Sequence, residues 1–407
     1  MSAEHEQAIV LPEARASWLA LAIYRYFKDF RYGTLRFRVD GQNYLIEGAE
    51  PGPEAHIHLH NPMRVLKKVA RRGDTGLAEA YMDGDWDSGN LTELLFWGAR
   101  NFHSLSETLG AKGLVRWVLR LKHMLRSNTR KGSRRNIEAH YDLGNDFYAQ
   151  WLDPSMTYSS ALFKHEDEPL EQAQTNKYAR LLESLNAKPG DHILEVGCGW
   201  GGFAEYAAKQ GMRVTGITLS REQLAWARER MAKAGLSDRV DLRLQDYRDL
   251  NERFDHVVSI EMFEAVGEAY WGTYFKMLHK VIRPGGRIAL QIITINDKDF
   301  ETYRLSADFI QLYIFPGGML PSPGVLRQLV DEKGFTQIAC DCFGQDYAQT
   351  LAQWHERCNA HAAAIRDRFD ERFLRMWRYY LSYCEAGFRD GCIDLCQLVL
   401  QKPQAAT

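Results

Sequence analysis

The residues that first invite chemistry are the glycines of His192–Gly202, HILEVGCGWGG. Ile193, Leu194 and Val196 read as a buried strand, glycines follow at 197, 199, 201 and 202, and FAEYAAKQ then carries a helical pattern. Glycines at a strand-to-helix turn let the backbone approach a ligand closely and aim the first N–H groups of the helix at it. Two further strand patterns, MRVTGITLS and VDLRLQD, follow at strand–helix spacing. The glycine spacing departs from the dinucleotide fingerprint GxGxxG. Many nucleotide-binding α/β enzymes place an acid after the second strand for the ribose hydroxyls. Here Thr218 and Ser220 stand at that point, and Glu222 comes later.

Those residues need a sheet to hold them. Strands are expected at His192–Val196, Arg213–Thr218, Val240–Leu244, Asp255–Ile260 and Arg287–Thr294, with Thr336–Phe343 and Ile393–Leu400 closing the sheet. Helical patterns between them predict an α/β fold with a doubly wound, mostly parallel, seven-stranded sheet whose last strands form an antiparallel pair at one edge. Two stretches exceed what connections need, 296–322 and the aromatic, helical 345–389, and insertions at strand ends build substrate sites. Ahead lies a smaller α+β unit over 1–107, with a helix from Trp18 to Phe30, strand-like TLRFRVDG, QNYLIEGA and AHIHLHN, and a helix at NLTELLFWGARN. The expected division is therefore 1–107, a linker at 108–136, and a catalytic domain at 137–407.

At 407 residues two domains are expected. The net charge of −2 hides an uneven distribution. Between Thr108 and Ile137 stand nine basic residues and no acidic one, while Leu114, Trp117, Val118, Leu121 and Leu125 share one helical stripe. A basic amphipathic helix with tryptophan suits an anionic lipid surface; a linker helix packed by its stripe is the plainer reading. Nucleic acid is disfavoured, because the charge is confined to one linker. Seven cysteines without a CxxC predict reduced thiols, no disulfide framework and no metal site. The first residues lack a signal-peptide core, and no run of about 18 apolar residues exists to span a bilayer. A cytoplasmic, peripherally membrane-associated protein is expected.

Glu195 before the first glycine, the glycine run itself, and IRPGG at 282–286 together resemble a class I S-adenosylmethionine (SAM) methyltransferase. IEAHYDLGNDFYAQWLDPSMTYSSALF (137–163), TLS (218–220), MFE (262–264) and FIQLYIFPGGMLPS (309–322) narrow this. With AEAYMDGDW (78–86), they resemble the cyclopropane-fatty-acyl-phospholipid synthase family over roughly residues 70 to 400. The resemblance implies methyl transfer from SAM to the double bond of an unsaturated acyl chain of a phospholipid. An alkene is a poor nucleophile, so the reaction needs in-line positioning in a dry site, with aromatic faces and a carboxylate beside the carbocation on the chain. Loss of a proton from the delivered methyl closes a cyclopropane ring; loss from a neighbouring chain carbon gives a methylene branch.

The family's base is a bound bicarbonate, and the resemblance puts its cage at Ser160, Glu264, Gln291, Ile293 and Tyr347. Glu264, Ile293 and Tyr347 match the family, whereas Ser160 replaces a cysteine and Gln291 a histidine. Glutamine still offers an N–H donor but cannot titrate. For SAM the resemblance implies Tyr158, Ser159, Glu195, Gly197, Gly199, Thr218, Ser220, Gln223, Asp246 and Tyr247. Tyr247, an aromatic in a loop, reads equally as a ring stacked on adenine and as core. Cys384 aligns with a cysteine that family assignments mark as an active-site residue, although the chemistry requires no thiolate and a buried structural cysteine is the better reading. A methyl- or methylene-branched product on the same substrate, a small-molecule N-methyltransferase and a non-catalytic lipid-binding protein are the alternatives. A second copy of the chain is a candidate partner.

Overall fold

The computed structural model describes residues 9–11, 16–102, 143–305 and 307–404. They divide into two compact units, Met1–Leu119 with Asn359–Cys392, and Arg120–Cys358 with Ile393–Thr407. The expected uninterrupted domain at 137–407 is thereby corrected. The later part of the insertion at 345–389 belongs to the first unit, and the chain returns to the second for its last strand. The basic linker at 108–136 and the first three residues of the HYDL motif lie outside the described residues.

In the first unit, β1 (Ile9–Val10), β2 (Tyr32–Val39), β3 (Gln42–Glu47), β4 (Glu50–Leu59) and β5 (Trp86–Asp87) form a sheet of order β1-β3-β2-β4-β5. Strands β2 and β3 are a hairpin turned by Asp40 and Gly41, both with positive φ (53° and 78°), the backbone that lets a two-residue turn follow the strand twist. Leu35, Phe37 and Val39 alternate into the core. Asn90 caps the helix Leu91–Arg100 through the N–H of Glu93. Asp370 caps the helix Glu371–Asp390, which ends at Gly391 with φ 76° and buries Leu374, Trp377 and Leu381. Arg375 fastens that helix, donating to the carbonyls of Tyr81 and Trp86, with its guanidinium 4.1 Å from the centre of the Tyr81 ring.

In the second unit, β6 (His192–Val196), β7 (Arg213–Thr218), β8 (Val240–Leu244), β9 (Phe254–Ile260), β10 (Ile282–Ile295), β11 (Thr336–Cys342) and β12 (Ile393–Gln401) form a seven-stranded sheet of order β11-β12-β10-β9-β6-β7-β8. Strands β6 to β10 are parallel neighbours, and β12 runs antiparallel to both β10 and β11. The strand last in sequence is thus interior and β11 is the edge. Order reverses on either side of β6, and ligands of open α/β sheets bind at the carboxyl ends of strands at such a point. The expectation of reduced thiols throughout is also corrected. Register sets Cys342 opposite Cys396 with 4.1 Å between their Cα atoms, and the two form a disulfide. They are 54 residues apart, so local spacing carries no sign of the pair.

Candidate active site

The glycine loop sits where β6 ends. Gly197, Gly199 and Gly201 all have positive φ, a region that costs a residue with a Cβ. The reasons for glycine differ between the first two. A Cβ on Gly197 would stand 2.9 Å from Met262 Cγ, so the protein itself fills that side and the loop after β9 lies against the glycine loop. A Cβ on Gly199 would meet nothing within 4 Å, and this open side is the one a ligand can use. Glu195 is buried, and its Oε2 has no hydrogen-bond partner among the described residues. Burial pushes the Glu195 carboxyl well up, against the opposing charges of Arg230 and Lys177.

Thr218, Ser220 and Gln223 are buried and tied to one another after β7. Ser220 caps the following helix through the N–H of Gln223, and Thr218 Oγ1 accepts from Ser220 and donates to Gln223 Oε1 at 3.0 Å. Asp246 caps the turn after β8 and holds Arg248 by two side-chain bonds. Tyr247 is buried with its ring edge-on to Tyr274, centroids 5.3 Å apart, which is a core placement.

The decisive geometry lies after β9. Glu261, half-buried and at φ 50°, points its carboxyl group into a ring of donors. The backbone N–H of Ser160 donates to Oε1 at 2.9 Å, Gln291 Nε2 to the same oxygen at 2.8 Å, and Tyr347 OH to Oε2 at 2.6 Å. Gln397 on β12 donates to Gln291 Oε1 at 3.0 Å, which turns the amide so that its NH₂ faces Glu261. Ser160 contributes through its backbone, because its hydroxyl bonds the carbonyl of Ala161. The segment is held by the N–H of Ala161 on Thr350 Oγ1 and the N–H of Phe163 on Asp346 Oδ1.

Glu264 occupies a different environment. One oxygen accepts from the N–H of Ile293 and the other has no partner among the described residues. Burial, and secondly the charge of Glu261, push the Glu264 carboxyl up to about 8. Burial also raises Glu261, but Lys177 and its three donors hold it back toward the carboxylate. Of the two neighbouring acids, Glu264 therefore holds its proton at neutral pH, and Glu261 is the one whose ionised form its donors and Lys177 favour. Lys177 is fully buried, donates to Ser159 Oγ and Gln174 Oε1, both at 2.6 Å, and is pulled down by burial to about 7.

Around this centre Tyr158 packs among Tyr148, Trp151 and Trp354 with centroids 5.2 to 5.6 Å apart, and Tyr347 lies edge-on to Trp354 at 6.1 Å. Cys384 belongs to the first compact unit, whereas Ser160, Glu261, Glu264, Gln291, Ile293 and Tyr347 all belong to the second. The sulfurs of Cys340, Cys342 and Cys396 lie within 4.8 Å of one another, two of them bonded together. Sequence reasoning missed Glu261, Lys177 and Gln397. A carboxylate placed directly after a parallel strand was a legible signal for Glu261; nothing local pointed to the other two.

Residues 128–398 match the mycolic acid cyclopropane synthetase family. The chain belongs to that family. It is 38% identical over 373 residues to the tuberculostearic acid methyltransferase UfaA1 of Mycobacterium tuberculosis, covering 87% of this chain and 84% of that one. It is 40% identical over 367 residues to the cyclopropane-fatty-acyl-phospholipid synthase of Escherichia coli, covering 88% and 90%. The solved mycolic acid cyclopropane synthase CmaA1, in complex with SAH and CTAB, superposes with a TM-score of 0.62 at 32% identity, over 66% of this chain and 98% of that one. This member of the cyclopropane synthetase family is a SAM-dependent methyltransferase, and its seven-stranded sheet is the class I methyltransferase sheet.

Proposed function

We propose that this enzyme transfers the methyl of SAM to the double bond of an unsaturated acyl chain of a membrane phospholipid, closing a cyclopropane ring. The observation that carries the reading is the pair of acids after β9, Glu261 held by three donors beside Glu264 with its raised pKa, backed by aromatic rings and lying against the glycine loop. Bound SAM supplies an electrophilic sulfonium methyl. Gly199, Glu195 and the loop N–H groups would hold it, and Tyr158 with Trp151 and Trp354 would keep water from the reacting carbons. A carbocation on the chain is favoured by a nearby carboxylate and by aromatic faces, which this site provides together.

The same substrate with a methyl-branched or methylene-branched product is the second reading, supported by the similarity to the tuberculostearic acid methyltransferase. No described helix is long and apolar enough to cross a membrane, so lipid would be met at its surface, for which the basic stretch at 108–136 is suited. The test is gas chromatography and mass spectrometry of fatty acid methyl esters after expression in a host lacking its own synthase. Acids heavier by one CH₂ and resistant to hydrogenation are expected; hydrogenation of the new acids would select the methylene branch. An unchanged profile would remove acyl lipid as the substrate.

A further inference from the structure

The cage that resemblance assigns to bicarbonate is built in this chain, but a side chain already fills it. Of the five positions implied for that ion, Ser160, Gln291 and Tyr347 direct their donors at Glu261. The remaining two, Glu264 and Ile293, are bonded to each other. A carboxylate and a bicarbonate present the same planar pair of oxygens to such donors, and two anions in one cage would repel. Bicarbonate therefore does not fit the native site. We infer that Glu261 is the enzyme's own base, a carboxylate built into the chain where relatives recruit an ion from solution.

Glu261 is placed for that task. A carboxylate offers about four lone-pair sites, and three are taken, so one remains on Oε2 beside Tyr347 for the incoming proton. The C–H bond of the delivered methyl breaks as the proton passes to Oε2. The electron pair of that bond closes the third side of the ring and discharges the cation. The resulting carboxylic acid then returns its proton to solvent, and no further reactant is needed. The side chain is kept at a cost, since φ 50° is a left-handed conformation that glycine adopts freely and a long side chain does not. Strain held at an acid beside the glycine loop is the pattern of a residue retained for what it does.

The inference rests on the proposed reaction, and the test separates the two. Glu261→Gly relieves the backbone and empties the cage, whereas Glu261→Gln keeps it filled without a base. Titration with ¹³C-labelled bicarbonate, read by NMR in the absence of lipid, is expected to show binding to Glu261→Gly and none to wild type or Glu261→Gln. Binding to the wild type, or none to Glu261→Gly while circular dichroism shows it folded, would overturn the inference. In turnover on unsaturated phospholipid, the wild type should be indifferent to bicarbonate depletion. Both variants should lose about 100-fold, and millimolar bicarbonate should rescue only Glu261→Gly. Wild-type turnover by Glu261→Gln, a wild-type rate that follows bicarbonate, or no rescue of a folded Glu261→Gly would equally overturn it. A wild type inactive on every unsaturated lipid counts against the substrate alone, because the binding arm needs no lipid.

Discussion

At the scale of single residues, the site is governed by two neighbouring acids, Glu261 and Glu264. Glu264 is pushed from 4.5 up to about 8 by burial and by Glu261. Below pH 4.5 the native and unfolded chains both carry this proton. Between there and about pH 8 the unfolded chain releases it and the native chain does not, so this group erodes stability by up to about 1.4 kcal/mol for each pH step. Glu264→Gln keeps an acceptor for the N–H of Ile293 and removes the titration. Its melting temperature relative to wild type should rise as pH goes from 5.5 to 8, by several degrees at the upper end. A difference that stays constant across that range would mean that Glu264 ionises normally. Gln291 shows the same economy of design: its amide cannot titrate, but Gln397 orients it to donate, and donation is what Glu261 requires.

At the scale of elements, the glycine loop and the loop after β9 are matched surfaces. Gly197 has Met262 standing against it, whereas Gly199 has an open side. Gly199→Val is therefore expected to fold while losing SAM, since its methyl groups would project into the open side of the loop. A left-handed valine costs about 1–2 kcal/mol of backbone strain, which an intact sheet can absorb. SAM affinity measured by calorimetry should fall at least about tenfold; unchanged affinity in a folded variant would place the ligand elsewhere. The segment Ser160–Phe163 shows how an extended strip becomes precise without joining a sheet. Its N–H groups are divided among Glu261, Thr350, Asp346 and the carbonyl of Ala173.

At the scale of the whole molecule, the first unit is not made by the first residues alone. The helix Glu371–Asp390 supplies it with Leu374, Trp377 and Leu381, with Arg375 on two carbonyls, and with a buried contact from Thr92 to Ser382. Residues 1–107 expressed alone should accordingly remain unfolded or associate, and should fold when joined to 359–392 through a flexible linker. A cooperative thermal transition in 1–107 alone would show that the returning helix is dispensable. The membrane question is also one for the full chain. Replacing Arg126, Arg130, Lys131, Arg134 and Arg135 by glutamine should weaken sedimentation with anionic vesicles at low salt, at about 1 kcal/mol per residue held near the surface. Activity on detergent-dispersed lipid should change less. Identical sedimentation would leave the stretch a linker only.

The positions of the strands along the chain, the glycine turn and the family were legible in the chain itself, because each is encoded locally: apolar runs of strand length, glycines at a turn, and motifs in sequence order. Six of the seven strands of the second sheet follow the expected bounds within a residue, and β10 is longer only at its ends. What local patterns could not carry were the relations that depend on register and on chain return. Cys342 meets Cys396 because β11 and β12 pair in one register, and the helix Glu371–Asp390 joins the first unit because its apolar face finds a partner nearly 300 residues earlier. Glu261 was visible as a letter next to a known motif. That three donors from three separate stretches of chain converge on its carboxylate, and so leave no room for an ion, is a property that only the folded molecule has.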